Sequence, residues 1–282
     1  MPPTVHRGVP TPVAGAVQRW LPDSEFAASL VDEATGCAEV VGEDGEPVAV
    51  LLVAQDRPTL SGSPVVVACC GSTEGSWSHV RELAGAVVPF VTAARRVEVA
   101  GPAPMARDIA AAAAAVLHGT VEVAMEQRLL VTSAPVLPSA GSGRARRAAE
   151  RDQLLVASWF DAFAVDALGA AARGADNWLA VLDQPHWNVW LWEVAGRPVS
   201  LVNVRRTTPV SSRIGPVYTP PQERGRGHAG ALTATVASAR LAAGDTRVTL
   251  FTDMSNPASN AAYARVGFRD IGPHGSWVVV AP

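Results

Sequence analysis

The chain contains no lysine; all 23 of its basic residues are arginine. Schiff-base chemistry and a phosphate-loop lysine are therefore excluded. Cysteine is scarce as well, with Cys37, Cys69 and Cys70 the only three among 282 residues. An odd number, two of them adjacent, argues for reduced thiols rather than a disulfide framework. No histidine stands at ligand spacing to make a zinc site with them. Cys69 and Cys70 read as small buried hydrophobes, not nucleophiles. Positive charge is not in excess, and a net charge of −3 argues against a general nucleic-acid binder. Long apolar runs are missing too. The longest, Ile109 to Leu117, is too short to span a bilayer, and Met1-Pro2-Pro3-Thr4 does not open a signal peptide. The expectation is a soluble, cytoplasmic protein with no metal, nucleic-acid or membrane partner.

What is present is apolar and regular. With 48% hydrophobic and 17% charged residues, the chain can bury sizeable cores. Its length points to two domains. A helix is expected from Trp20 to about Glu33, with Pro22 in its first turn. Strands follow near Ala38–Val41 and Val48–Val53, joined by Gly42-Glu43-Asp44-Gly45, and then at Val65–Cys70. A helix at Trp77–Ala93, a strand at Val97–Ala100, a helix at Pro104–Leu117 and a strand at Val121–Val131 complete the first half. Strands interleaved with helices imply an α/β fold, a sheet with helices on its faces. The turn before the second helix carries Glu74 and no arginine, which would repel an anion; it reads as an ordinary turn with Ser76 as a helix cap.

Residues 135–147, rich in proline, glycine and serine, read as a linker between domains at 1–134 and 148–282. Beyond it the pattern predicts a helix over Ala148–Leu168 and a short one around Ala175–Leu182. Strands are expected at Trp187–Val194, Pro198–Arg205, Arg213–Thr219 and Val248–Thr252. Helices are expected at Gly227–Leu241 and Pro257–Val266. The last segment reads as a hairpin, with Phe268–Ile271 and Ser276–Val280 flanking Gly272-Pro273-His274-Gly275. This order repeats that of the first half and suggests a duplication. Trp159, Trp178, Trp187, Trp190 and Trp192 lie close together here and either pack the core or wall an apolar acceptor pocket.

One stretch carries the chemistry. Val217-Tyr218-Thr219 is a strand stopped by Pro220-Pro221, which cannot donate ladder hydrogen bonds. A loop, Gln222-Glu223-Arg224-Gly225-Arg226-Gly227, then opens an alanine-rich helix at His228-Ala229-Gly230. Free backbone N–H groups at a helix N-terminus, beside two guanidiniums, suit a phosphate or pyrophosphate.

Arg224-Gly225-Arg226-Gly227-His228-Ala229 resembles the Arg/Gln-x-x-Gly-x-Gly/Ala signature of the GNAT superfamily of acyl-CoA N-acyltransferases, with Thr219-Pro220-Pro221 in place of its Val-x-Pro lead-in. Downstream, Asn256, Tyr263, Gly267 and Phe268 match a second block of that superfamily. The resemblance covers residues 148–282 and looks like a tandem form: two GNAT-like domains, the first degenerate. It implies an acetyl-CoA-dependent N-acetyltransferase, using acetyl-CoA as co-substrate and no metal. Acetyl would pass directly to the amine of a small molecule in a ternary complex. The alternatives are acetylation of a peptide or protein N-terminus and non-catalytic binding of acyl-CoA.

By that resemblance, residues 225–230 would cradle the CoA pyrophosphate, and the Val217, Tyr218 and Thr219 edge would meet pantetheine. Arg224 and Arg226 are either solvated or touch phosphate. His228 is a backbone donor rather than a base. Tyr263 would protonate the departing thiolate, or else simply pack beside Phe268. Asn256 would contact pantetheine, cap its helix, or both. The strand matching Pro198–Arg205 lacks the glutamate that many members use as a base, which leaves Glu193, Asp253 and His186 without a motif to support any of them. Whether the first half completes the pocket, mediates a homodimer or only supports the fold stays open.

Overall fold

The computed structural model describes residues 3–20, 25–28, 30–31, 34–55, 63–71, 79–138, 143–169, 174, 188–253 and 255–282. The turn with Glu74 and Ser76, the helix expected at 175–182 with Trp178, and His186 and Trp187 lie outside them. Two compact units emerge: residues 1–129 with 271–282, and residues 130–270.

The first unit contains β1 (Thr4–Arg7), α1 (Thr11–Arg19), α2 (Glu25–Ala28), β2 (Gly36–Val41), β3 (Pro47–Gln55) and β4 (Val65–Gly71). These are followed by α3 (Val80–Ala94), β5 (Arg96–Pro102), α4 (Ala103–Leu117) and most of β6 (Thr120–Thr132). The strand order is β1-β2-β3-β4-β5-β12-β6, where β12 (Arg269–Val280) is the last strand of the chain. β4 and β5 run parallel, Val65–Ala68 beside Val97–Ala100.

The continuous apolar run of β3 is explained by burial on both faces. Ala49, Leu51 and Val53 join a core with Leu83, Val87 and Val91 of α3 and Met105, Ile109 and Ala113 of α4. Val50, Leu52 and Ala54 join another with Val13 and Val17 of α1. Each fully buried aliphatic side chain contributes roughly 1.5–3 kcal/mol. The same alternation separates the adjacent cysteines, Cys69 in the first core and Cys70 in the second. Burial pushes the Cys69 thiol up to about 12, so neither its position nor its ionisation makes it a nucleophile.

The second unit contains β7 (Arg144–Arg147), α5 (Gln153–Leu168), β8 (Val189–Val194), β9 (Arg197–Thr208), β10 (Ser211–Tyr218), α6 (His228–Ala242), β11 (Arg247–Asp253) and α7 (Pro257–Arg265). Its sheet runs β11-β10-β9-β8-β7. One face packs Val202, Val204, Ile214, Val248 and Leu250 against Leu232 and Val236 of α6. The other brings Leu191 and Leu201 against Val156 and Phe160 of α5. The β8–β9 turn takes positive φ at Ala195 and Gly196, the geometry of a tight two-residue hairpin.

Three features depart from the pattern read in sequence. β1 and α1 precede the first expected helix, of which Glu25–Ala28 is described as helical. Arg144–Arg147, placed in the linker, is a strand pairing with β8. The expected C-terminal hairpin is one strand: β12 pairs with β5 from His274↔Pro102 to Val280↔Arg96. The chain therefore does not reverse at Gly272-Pro273, and this strand packs with the first unit. A Cβ at Gly275 would stand 2.6 Å from the Met125 carbonyl oxygen, so that glycine serves a close strand contact rather than a turn.

Candidate functional site

β10 and β11 pair in parallel from Ser211↔Arg247 to Ile214↔Leu250 and no further, although they continue to Tyr218 and Asp253. β10 stays paired with β9 up to Tyr218↔Leu201, with a register shift between Ile214 and Val217. From Gly215 onward it keeps one neighbour and loses the other. An open edge thus appears in mid-sheet, at a bulge that bends the strand. Asn203 holds the bulge: its Nδ2 donates to the Gly215 carbonyl at 3.2 Å and its Oδ1 accepts from the Asn188 N–H at 3.0 Å.

The end of β10 is anchored by side chains. The Ser200 hydroxyl donates to the Tyr218 carbonyl at 3.1 Å and lies 2.9 Å from the Thr219 hydroxyl. Arg224 Nε donates to the Thr219 carbonyl at 2.9 Å, its Nη2 reaches Asp166 Oδ2 at 2.8 Å, and its guanidinium lies 5.8 Å from the Tyr218 ring centroid. Arg224 therefore clamps the loop to the strand end. The Tyr218 ring also meets Trp159 of α5 at 6.1 Å. Burial, with Asp166 adding to it, raises the Tyr218 phenol above its ordinary value against the opposing pull of Arg224.

Pro221–Glu223 forms a single 3-10 turn, and Gly225 and Gly227 follow at φ +76 and +80. A Cβ at either position would meet nothing within 4 Å. Both glycines are there for backbone conformation, not for lack of room. Gly227 caps α6, and no side chain caps that helix. The first intrahelical bond runs from Ala231 N–H to the Gly227 carbonyl at 3.0 Å. The N–H groups of His228, Ala229 and Gly230 thus point out of the helix end, where the aligned peptide dipoles act as roughly half a positive charge. Glu223 borders this end, held by Arg226 at 2.8 Å with His228 Nε2 at 3.9 Å. Gly230 has a second role, since a Cβ there would touch Val266 Cγ1 at 3.5 Å. Its small size brings α6 close to α7.

Tyr263 lies on α7, 9% exposed, with its ring edge-on to Phe268 at 6.1 Å. Burial pushes its phenol up to about 12, so it stays protonated and able to donate. Asn256 caps α7, its Oδ1 accepting from the Ser259 N–H at 3.1 Å. Pro257 at the first helical position fits that start.

Residues 194–278 match the sequence model of the FR47-like protein family. The chain superposes on a GCN5-related N-acetyltransferase from Sphaerobacter thermophilus with TM-score 0.61 and 18% identity, covering 99% of this chain and 96% of that one. A GCN5-related N-acetyltransferase from Kribbella flavida gives TM-score 0.60 and 17% identity, with 95% of each chain covered. The chain has a GCN5-related N-acetyltransferase (GNAT) fold. Among curated proteins, no sequence matches it.

Within this GNAT fold, the proposed cradle, the strand edge and Tyr263 all fall in the second unit. Ser200, Asn203 and Asp166, which fix the strand end and bulge, carry no sequence signal. Glu193 is not poised as a base: Arg144 and Arg146 reach its two oxygens at 2.8 and 3.0 Å and hold its carboxyl below the usual carboxylate range. The Asp253 carboxylate accepts from both N–H and hydroxyl of Ser255, at 2.7 and 2.8 Å. Among the described residues, no helix is long and apolar enough to cross a membrane.

Proposed function

We propose that the second unit is an acetyl-CoA-dependent N-acetyltransferase acting on the amine of a small molecule, with direct transfer in a ternary complex. The observation that carries this reading is the parting of β10 from β11 after Ile214 and Leu250, immediately before an uncapped helix N-terminus. A ligand with an amide-bearing arm and a pyrophosphate fits both parts. The arm would line the unpaired edge at Val217, Tyr218 and Thr219 as an added strand. The N–H groups of residues 225–230 would receive the pyrophosphate, with Arg226 beside them.

Acetyl-CoA supplies the activated thioester. The chain's residues then hold its arm, orient it against the bulge and return a proton to the leaving sulfur. The acceptor nitrogen forms the new C–N bond as the C–S bond breaks and gives up its surplus proton to water, while the Tyr263 hydroxyl protonates the thiolate and is reprotonated from solvent. Its raised pKa keeps that proton in place at neutral pH. Asn256, with its side chain committed to capping α7, would serve the site by fixing that helix.

The first unit supports one site per chain. Its β2-β3-β4-α3-β5-α4 order repeats β8-β9-β10-α6-β11-α7 of the second, as expected of a duplicated, diverged copy. A Cβ at Gly101, just past the last β4–β5 pair, would stand 2.4 Å from the Cys69 carbonyl oxygen. The backbones of Cys69 and Gly101 therefore approach closely just past the last pair, which disfavours an arm inserted at that point.

Calorimetric titration with CoA, together with a free-thiol assay run with acetyl-CoA and mixed amines, tests the proposal. CoA binding with thiol release is the expected result. Absence of CoA binding would refute it. Binding without thiol release for any amine would favour a non-catalytic acyl-CoA-binding protein. Release only with peptides would favour N-terminal acetylation.

A further inference from the structure

On the sheet face opposite α6, three polar side chains of the second unit lie close in register, each with a buried atom that has no hydrogen-bond partner. Arg213 on β10 is 7% exposed, and its Nη1 is buried with no hydrogen-bond partner. Arg213 pairs directly with Thr249 on β11, whose hydroxyl is likewise buried and unpartnered. Two residues back along β11, Arg247 has a buried, unpartnered Nε. Directly paired and alternate positions share a face of the sheet, so the three groups stand together. Arg205 of β9 is paired opposite Arg213 on the same face, and the Phe251 ring lies 5.5 Å from the Arg213 guanidinium. Asp253 shares this face, but lies four residues along β11 from Thr249, about 13 Å away, and is engaged by Ser255.

A guanidinium stays charged when buried. Burial without an anion is costly. Elsewhere among the described residues of this unit the buried charges are matched: Asp245 is met by Arg206 and Arg240, and Asp152 by Arg146. The exception lies one residue before Ile214, where the strands part, and two residues, about 7 Å, before Gly215 of the bulge.

We infer that Arg213, with Arg247 and the Thr249 hydroxyl, binds an oxyanion, a carboxylate or phosphate carried by the amine acceptor. A planar guanidinium fork matches either group with paired hydrogen bonds. The inference rests on the acetyltransferase reading for the identity of the ligand, not for the existence of the anion site. The acceptor class is then an amine bearing an acidic group a few bonds from the nitrogen.

The test compares the full-length protein with its Arg213→Met and Arg213→Lys variants. First, thermal unfolding is followed without ligand. Removal of an unpaired buried charge should leave Arg213→Met at least as stable as the wild type; a marked loss would mean that Arg213 is a paired structural group and would overturn the inference. Second, binding is measured calorimetrically for amino carboxylates, amino-alkyl phosphates and their uncharged amide or alcohol analogues at matched ionic strength. The wild type should prefer the anionic members by about 10- to 100-fold. Arg213→Met should abolish the preference, and Arg213→Lys should retain part of it. Preference for carboxylates or for phosphates tells which oxyanion the site takes, and either supports the proposal. Equal binding of charged and uncharged amines, a preference that survives Arg213→Met, or no binding by any of them overturns it. CoA titration of the same three proteins keeps the two readings separable, because Arg213→Met should leave CoA affinity unchanged.

Discussion

Replacing Gly227 with aspartate places a carboxylate at the cap of α6, where the phosphates are proposed to sit. The substitution meets no steric obstacle, because a Cβ at this position finds nothing within 4 Å. Its structural cost is the backbone conformation at φ +80, about 1–2 kcal/mol for an ordinary L-residue. Aspartate visits that region more readily than most residues. A negative charge at a helix N-terminus also returns about 0.3–1 kcal/mol. The free protein should therefore unfold within a few degrees of the wild type.

Binding should respond very differently. A carboxylate about 5 Å from a phosphate repels it by about 1–3 kcal/mol at effective dielectric constants between those of a protein surface and water. That corresponds to roughly 5- to 150-fold weaker CoA binding. Gly227→Asn has nearly the same shape and backbone tolerance without the charge, and isolates the electrostatic part. Calorimetric titration of both variants, at low and high salt, reads the difference. The aspartate penalty should shrink as salt screens it, while the asparagine variant should change little. Equal CoA affinity for the two variants would refute the placement of the phosphates at this helix end.

Other outcomes follow from the same structure. Tyr263→Phe should lower kcat by roughly 10²- to 10⁴-fold and leave CoA affinity near the wild-type value; an unchanged kcat would remove the acid role. The chain has two tyrosines, both raised above their ordinary value, so phenolate absorbance should show no ionisation centred below the reference of about 10, and Tyr263→Phe should remove the step near 12. Burial pushes the Asp245 carboxyl up, but hydrogen bonds from Arg240, Ser212 and Arg206 outweigh it and hold the carboxyl below the usual carboxylate range. The stability it confers is therefore complete above an unfolded pKa of about 3.9 and lost as pH falls through the lower folded value. Asp245→Asn should destabilise the protein at neutral pH and flatten that acid limb in denaturation curves. Gly101→Ala should destabilise the first unit by at least the roughly 1–3 kcal/mol of an overpacked site, because its Cβ would meet the backbone of Cys69; unchanged unfolding would argue against that close approach.

Local chemistry made much of this fold legible in the sequence. β3, β4 and β11 are short apolar runs bounded by polar or turn residues, and α4 and α6 carry helical stripes. The loop before α6 was readable for the same reason, since Pro220-Pro221 and the two glycines act on their own backbone. Non-local pairing left no such mark. Arg144–Arg147 has no apolar alternation, yet it pairs with β8 because Glu193 there binds two of its arginines. Gly272-Pro273-His274-Gly275 has the composition of a turn, and only its partner strand keeps it extended. Arg213 looks like an ordinary polar position in sequence. Burial, known only from the fold, is what singles it out.

The placement of β12 between β5 and β6 has a consequence for how the molecule is made. Synthesis runs from the N-terminus, and early domains usually fold as they emerge. Here the first unit lacks a central strand until residues 269–280 leave the ribosome. Until then the edges of β5 and β6 are unpaired templates for other chains. Truncation just before residue 269 would therefore damage the first unit as well as the proposed catalytic one. Expressing residues 148–282 alone would likewise carry an orphan strand rather than an independent enzyme.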